Sequence, residues 1–206
     1  MCECDQVQKY AEDINREYYR CDRCELIFVP ERYHLSRNDE KLRYDLHDNS
    51  AGNSGYVNYL NRIVEIVPEI SRDVNAILDF GSGWNAVLTE LLKGNGYQCV
   101  AYDPLYDKKD FQSKSFDIVI ICEVIEHLRS LRQELSIIAD AMSNGSFVLI
   151  RTQLSPPKEL FQKWWYIQDK THINFFSLKS IEQAGYLLGC VLEKTFDKDI
   201  FVLRKL

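Results

Sequence analysis

Several groups of residues in this chain have the types and spacing to do chemistry. Asp79, Gly81, Ser82 and Gly83 end an apolar run, Ala76 to Leu78, and precede Val87, Leu88, Leu91 and Leu92 at helical spacing. That order is strand, tight turn, helix. Glycine in such a turn permits positive φ and lets a ligand approach the backbone, next to the unpaired N–H groups of a helix start. Asp103 closes a second strand, Gln98 to Tyr102, at the spacing from Gly83 where an acid accepts hydrogen bonds from ribose hydroxyls in a dinucleotide-type βαβ unit. Glu123 and His127 follow a third apolar run, Phe116–Cys122, and His172 lies in an aromatic stretch with Trp164, Trp165 and Tyr166. Imidazole suits proton transfer near neutral pH, so His127 and His172 are the candidate acid–base groups, against capping or packing roles. The three aromatics could wall an acceptor pocket or pack a lid on the core.

The string Gly81-Ser82-Gly83-Trp84-Asn85-Ala86 also fits a dinucleotide-binding turn. Asp79 argues for a different ligand, because a carboxylate there repels a pyrophosphate and suits a ligand with an ammonium group and no phosphate. Cys2 with Cys4 and Cys21 with Cys24 could supply four thiolates to zinc, holding a segment too small to own a core; free thiols are the alternative. Cys99, Cys122 and Cys190 fall in strands and read as small buried apolar residues.

The elements that must position these groups follow from periodicity and punctuation. Asn53 or Ser54 can cap a helix to about Val67, ended by Pro68. After the glycine turn a helix stops at Gly94-Asn95-Gly96; residues 105–114 carry no clear element. A helix with Leu131, Leu135, Ile138 and Met142 on its buried face is expected to end at Asn144-Gly145, before a strand over Phe147–Ile150. Ser177 caps another, and strands at Cys190–Phe196 and Ile200–Leu203 should pair as a hairpin. The sum is an α/β protein with a doubly wound, Rossmann-like sheet, one antiparallel edge strand and a C-terminal antiparallel hairpin. A small zinc-ribbon-like segment, 1–30, and a polar linker, 31–53, precede the main domain at 54–206.

With 206 residues there is room for one sizeable core and a small appendage. A formal charge of -6 argues against a broad nucleic-acid face and for small or neutral substrates. No signal-peptide pattern and no apolar run of bilayer length occur, so a cytoplasmic protein outside the membrane is expected, without a disulfide framework.

Taken together, Asp79-x-Gly81-x-Gly83, Asp103 and Ser115-Phe116-Asp117 through Glu123-Val124-Ile125-Glu126-His127-Leu128 resemble the class I S-adenosylmethionine-dependent methyltransferases; Asn85 replaces the family's third glycine. The likeness extends to a subgroup with an N-terminal zinc ribbon, through Cys21 and Cys24, through Arg43-Tyr44 with His47 and Asn49, and through Thr171-His172-x-x-Phe175-Phe176-Ser177. The CxC pair departs from that subgroup's usual CxxC. The resemblance implies a methyltransferase that uses S-adenosylmethionine on a small-molecule acceptor. The glycine turn would hold the methionine end, Asp103 the ribose, and Glu123 would lie beside the methionyl or methyl region. Gly55 and Tyr56 would close over the cofactor. Competing expectations are a zinc-ribbon RNA or protein methyltransferase and a non-catalytic cofactor-binding scaffold.

Overall fold

The computed structural model describes residues 1–46, 49–107 and 110–206. At the N-terminus, strands β1 (Val7–Glu12), β2 (Glu17–Cys21) and β3 (Ile27–Phe28) form an antiparallel meander. Its free edge is closed from the far end of the chain, where Ile27 pairs with Phe175 and Phe28 with Asn174. The sheet therefore crosses the boundary drawn at residue 30. Its apolar face, Tyr18, Ile27 and Val29, packs on Phe161, Tyr166 and Phe175.

The polar stretch read as a linker contains a helix, α1 (Arg37–Tyr44). Too few apolar residues mark it for periodicity to find, but the Ser36 hydroxyl accepts from the Asp39 backbone N–H, a capping signal present in the sequence. The next helix, α2 (Ser54–Ile70), is capped by Asn53 and runs beyond Pro68, which sits inside its last turn instead of ending it.

The large sheet has the order β5-β4-β6-β7-β10-β9. Its strands are β4 (Ala76–Phe80), β5 (Gln98–Tyr102), β6 (Phe116–Cys122), β7 (Met142–Arg151), β9 (Cys190–Phe196) and β10 (Ile200–Lys205). Helix α3 (Val87–Gly94) links β4 to β5, and α4 (Leu131–Asp140) links β6 to β7. The short α5 (Lys158–Phe161), β8 (Asn174–Phe175, the strand that closes the small sheet) and α6 (Leu178–Leu188) follow β7. Ile77, Ile118 and Ile120 face Leu60 and Ile63 of α2 and Leu92 of α3. Leu78, Val119 and Ile121 face Leu135, Ile138 and Ile181 on the other side. Covering on both faces is why these strands read as continuous apolar runs.

Two further expectations change. Met142, Asn144 and Gly145 belong to β7, not to the end of α4. The β6–β7 register steps from Phe116↔Met142 to Ile118↔Phe147, so Ser143–Ser146 bulge out with Gly145 at φ 79°, and the usual helix-stop residues act as a strand irregularity. The hairpin forms as expected, but β10, antiparallel to β7, lies inside the sheet, and the antiparallel edge strand is β9, with β5 at the opposite edge. Among the described residues no helix is long and apolar enough to cross a membrane.

Candidate functional site

Strand β4 has β5 on one side and β6 on the other, so the crevice where ligands bind in such sheets opens above their carboxyl ends. A cavity of about 540 Å³ lies there. The glycine turn forms its floor: Gly81 and Ser82 both donate their N–H to Tyr102 O, at 2.7 and 3.1 Å, which ties the turn to β5. Gly81 has φ 81°, and a Cβ there would fall 2.4 Å from Val124 Cγ2, so both conformation and space demand glycine. Gly83 has φ 68° and nothing within 4 Å of where a Cβ would stand, leaving the face of the turn open to a ligand.

Asp103 lines the cavity and organises its rim. Its Oδ2 accepts from Gly83 N at 3.0 Å, and its Oδ1 from the N–H groups of Leu105 and Tyr106 at 2.8 and 3.2 Å. Carboxylate oxygens have further lone pairs, so these bonds leave acceptor capacity for hydroxyls. Tyr56 and Ser82 also line the cavity, with Trp84 exposed at its mouth.

Asp79 is buried beneath the turn and is not among the residues that line the cavity. Its Oδ2 accepts from Thr89 Oγ1 of α3 at 2.7 Å, and burial raises its pKa to about 6. The folded pKa lies above the unfolded one, so the stabilising protonated form is complete below pH 4 and is lost as pH rises through 6. At neutral pH the penalty is on the order of 3 kcal/mol. Asp79→Asn, which keeps the acceptor for Thr89, is expected to stabilise the protein by about 1–3 kcal/mol at pH 7.5 and to flatten the stability slope between pH 4 and 7. Urea unfolding across that range measures both, and an unchanged slope would count against it.

At the end of β6, Glu123 adopts φ 52°, a left-handed conformation that costs a non-glycine residue about 1–3 kcal/mol. Its carboxylate accepts from Tyr59 OH at 2.9 Å and Tyr166 OH at 3.1 Å. Tyr59 is itself held by Arg151, whose guanidinium lies 3.4 Å from its ring centre and donates to its carbonyl. Tyr166 OH also meets Glu126 Oε1 at 2.6 Å, while Thr152 Oγ1 donates to Glu126 Oε2 at 3.0 Å. Burial pushes both carboxyl groups up, and at Glu123 the neighbouring Glu126 adds to it.

His127 and His172 come together at the cavity wall, with ring centres 4.7 Å apart. His127 Nδ1 lies 3.1 Å from Thr171 O and His172 Nδ1 2.7 Å from Tyr166 O, which assigns the proton to Nδ1 in each ring. Burial lowers both pKa values; with His127 adding repulsion, that of His172 falls to about 3. Both are neutral near pH 7, but His172 is a weak proton acceptor.

The profile of the methyltransferase-domain family matches residues 55–194, more than half of the chain. The chain belongs to that family. Comparison with curated proteins finds no match. Among solved structures, this methyltransferase is similar to the Burkholderia thailandensis 1,6-didemethyltoxoflavin-N1-methyltransferase with bound 1,6-didemethyltoxoflavin and S-adenosylhomocysteine. The two share 12% identity with a TM-score of 0.60, over 96% of this chain and 99% of that one. It is also similar to a SAM-dependent methyltransferase from Archaeoglobus fulgidus, at 18% identity and TM-score 0.53, over 71% and 93% of the two chains. An O-methyltransferase family protein from Burkholderia thailandensis matches at 14% identity and TM-score 0.59, over 80% of this chain and 61% of that one. At such identities the likeness is one of fold.

The remaining predicted residues of the methyltransferase divide. Tyr166 lines the cavity and Trp165 stands exposed at its rim. Trp164 does not line it; its ring packs against Phe161, Tyr166 and Phe175 under the small sheet. Cys122, read as buried filler, reaches the cavity wall. His47 lies outside the described residues. Cys2, Cys21 and Cys24 gather with their sulfurs within 4.8 Å of one another, whereas Cys4 Sγ turns to Gln6 O at 3.9 Å. Burial raises both knuckle thiols; at Cys21 the N–H groups of Cys24 and Arg23 outweigh it, so Cys21 ionises more readily than Cys24. Sequence reasoning missed Tyr59 and Arg129, which line the cavity, named Tyr44 only as part of a motif, and gave Glu126 no role. Tyr59 lay hidden because it sits off the apolar stripe of α2.

Proposed function

We propose that this methyltransferase takes its methyl group from S-adenosylmethionine and passes it to a small-molecule acceptor. The observation that carries the reading is the Asp103–Gly83 clasp at the strand ends, an acid and an open glycine turn bound to one another on a single cavity wall. When bound, S-adenosylmethionine supplies a sulfonium methyl that is already a strong electrophile. The chain's own task is to orient: Gly81, Ser82 and Gly83 receive the methionine end, Asp103 takes the ribose hydroxyls, and Tyr56 and Glu123 border the middle of the donor. Asp79 contributes only its field from beneath the turn. Trp165 and Tyr166 border the acceptor, and His127 and His172 stand on the acceptor side. Orientation of this kind can be worth effective molarities on the order of 10⁵ M or more. The formal charge of -6 supports a small acceptor over RNA, and a cytoplasmic location is part of the same reading. Thermal unfolding tests it: S-adenosylhomocysteine at a hundred times its dissociation constant is expected to add about 2.7 kcal/mol of stability. Stabilisation by NADH in its place would sink the proposal.

Zinc belongs to the same reading. Cys2, Cys21 and Cys24 have the donor chemistry, with Cys2 and Cys21 sulfurs 3.4 Å apart and backbone N–H groups directed at Cys21. Cys4 completes the set once its side chain turns inward. One equivalent of zinc is expected at the thiolates, and Cys24→Ser should lose it together with about 2 kcal/mol or more of stability, read by metal analysis and unfolding. Full retention of zinc by that variant would remove Cys24 from the site.

A further inference from the structure

We infer that Glu126, His127 and His172 form a second metal site, one that takes a divalent transition ion on the acceptor side of the cavity. The carboxylate oxygen and one nitrogen of each ring lie within 4.8 Å of one another, and His127 Nε2 stands 3.8 Å from Glu126 Oε1. These three residues come from two segments, the turn after β6 and the loop before β8, so the cluster is a product of the fold and not of local spacing.

The hydrogen bonds around it are those a metal site requires. Both imidazoles direct Nδ1–H to a backbone carbonyl, Thr171 O and Tyr166 O, which leaves the Nε2 lone pairs as the ligand atoms and fixes the ring orientations. Glu126 is fully buried and its two oxygens are steered by Tyr166 OH and Thr152 Oγ1. The backbone closes the arrangement: Ile173 N donates to Glu126 O at 2.9 Å, and Asn174 Nδ2 to Leu128 O at 2.7 Å. Two nitrogens and one oxygen suit zinc, manganese, cobalt or iron better than magnesium or calcium. Three protein ligands leave positions open toward the cavity that His127 and His172 line, where an oxygen of the acceptor can complete the shell. The inference rests on the methyltransferase reading only for that last clause; the site itself is this chain's.

Cobalt(II) is the probe, added to full-length protein stripped with a chelator. Two cobalt ions per chain are expected. One belongs to the cysteines and shows sulfur-to-cobalt charge transfer in the near ultraviolet; the other shows only weak visible bands. His172→Gln and Glu126→Gln should each weaken the second at least about 100-fold and leave the first intact. A Cys21→Ser, Cys24→Ser double variant should do the reverse. Thermal stabilisation by S-adenosylhomocysteine serves as the check that each variant is folded. If the two glutamine variants respond to S-adenosylhomocysteine and still bind cobalt as the parent does, or if the parent binds cobalt at sulfur alone, the metal inference falls while the methyltransferase reading stands. Loss of the S-adenosylhomocysteine response in the parent protein would strike the methyltransferase reading and leave the cobalt result to decide the site.

Discussion

Arg16→Ala is expected to lower the free energy of unfolding by about 3–5 kcal/mol. Arg16 is 4% exposed, and its guanidinium donates to the carbonyls of Ile167, Asp169, Lys170 and His172, with Nε on Tyr18 OH. Truncation would remove a donor from four loop carbonyls at once, of which only that of Asp169 keeps a backbone partner, the His172 N–H. The same loop carries Trp165, Tyr166 and His172, so methyl transfer should fall with stability, and the segment from 165 to 173 should become open to proteolysis. Arg16→Lys should rescue little, because an ammonium has three donors and no planar fork to reach four acceptors. Urea denaturation and limited proteolysis check this, and a loss below about 1 kcal/mol would show that the loop holds without its clamp.

The second large effect falls on cofactor affinity. Asp103→Ala removes the partner of Gly83 N and of the Leu105 and Tyr106 amides as well as the acceptor proposed for the ribose. Charge-assisted hydrogen bonds are worth about 1.5–3 kcal/mol each, so S-adenosylhomocysteine should bind on the order of 100-fold more weakly. Asp103→Asn, which retains one acceptor oxygen, should fall between. Titration calorimetry reads the difference; binding within a factor of about three of the parent would take Asp103 out of the site.

Much of the large sheet was legible because burial on both faces writes itself as unbroken apolar runs, as in Phe116–Cys122, and because glycines and acids mark strand ends. Asp103 could be found from its spacing alone. At Asp79 the sequence gives only the acid, whereas Thr89, which donates to its Oδ2, becomes a neighbour only when α3 packs on β4. Helix α1 stayed hidden since a charged helix carries no stripe, although Ser36 and Asp39 spelled its cap. The Arg16 clamp and the Glu126–His127–His172 cluster join residues distant in sequence, and no periodicity reports such a meeting.

The pairing of β3 with β8 carries a consequence for the order of events during synthesis. The meander emerges from the ribosome before the segment that supplies the partner strand of its free edge and the aromatic residues beneath it, Phe161 and Phe175. Chains stalled before residue 174 are therefore expected to leave Tyr18 and Ile27 open to proteases, and chains extended past it to protect them. The meander is made before the residues that finish it, and the loop that borders the cavity leads into the strand that does so.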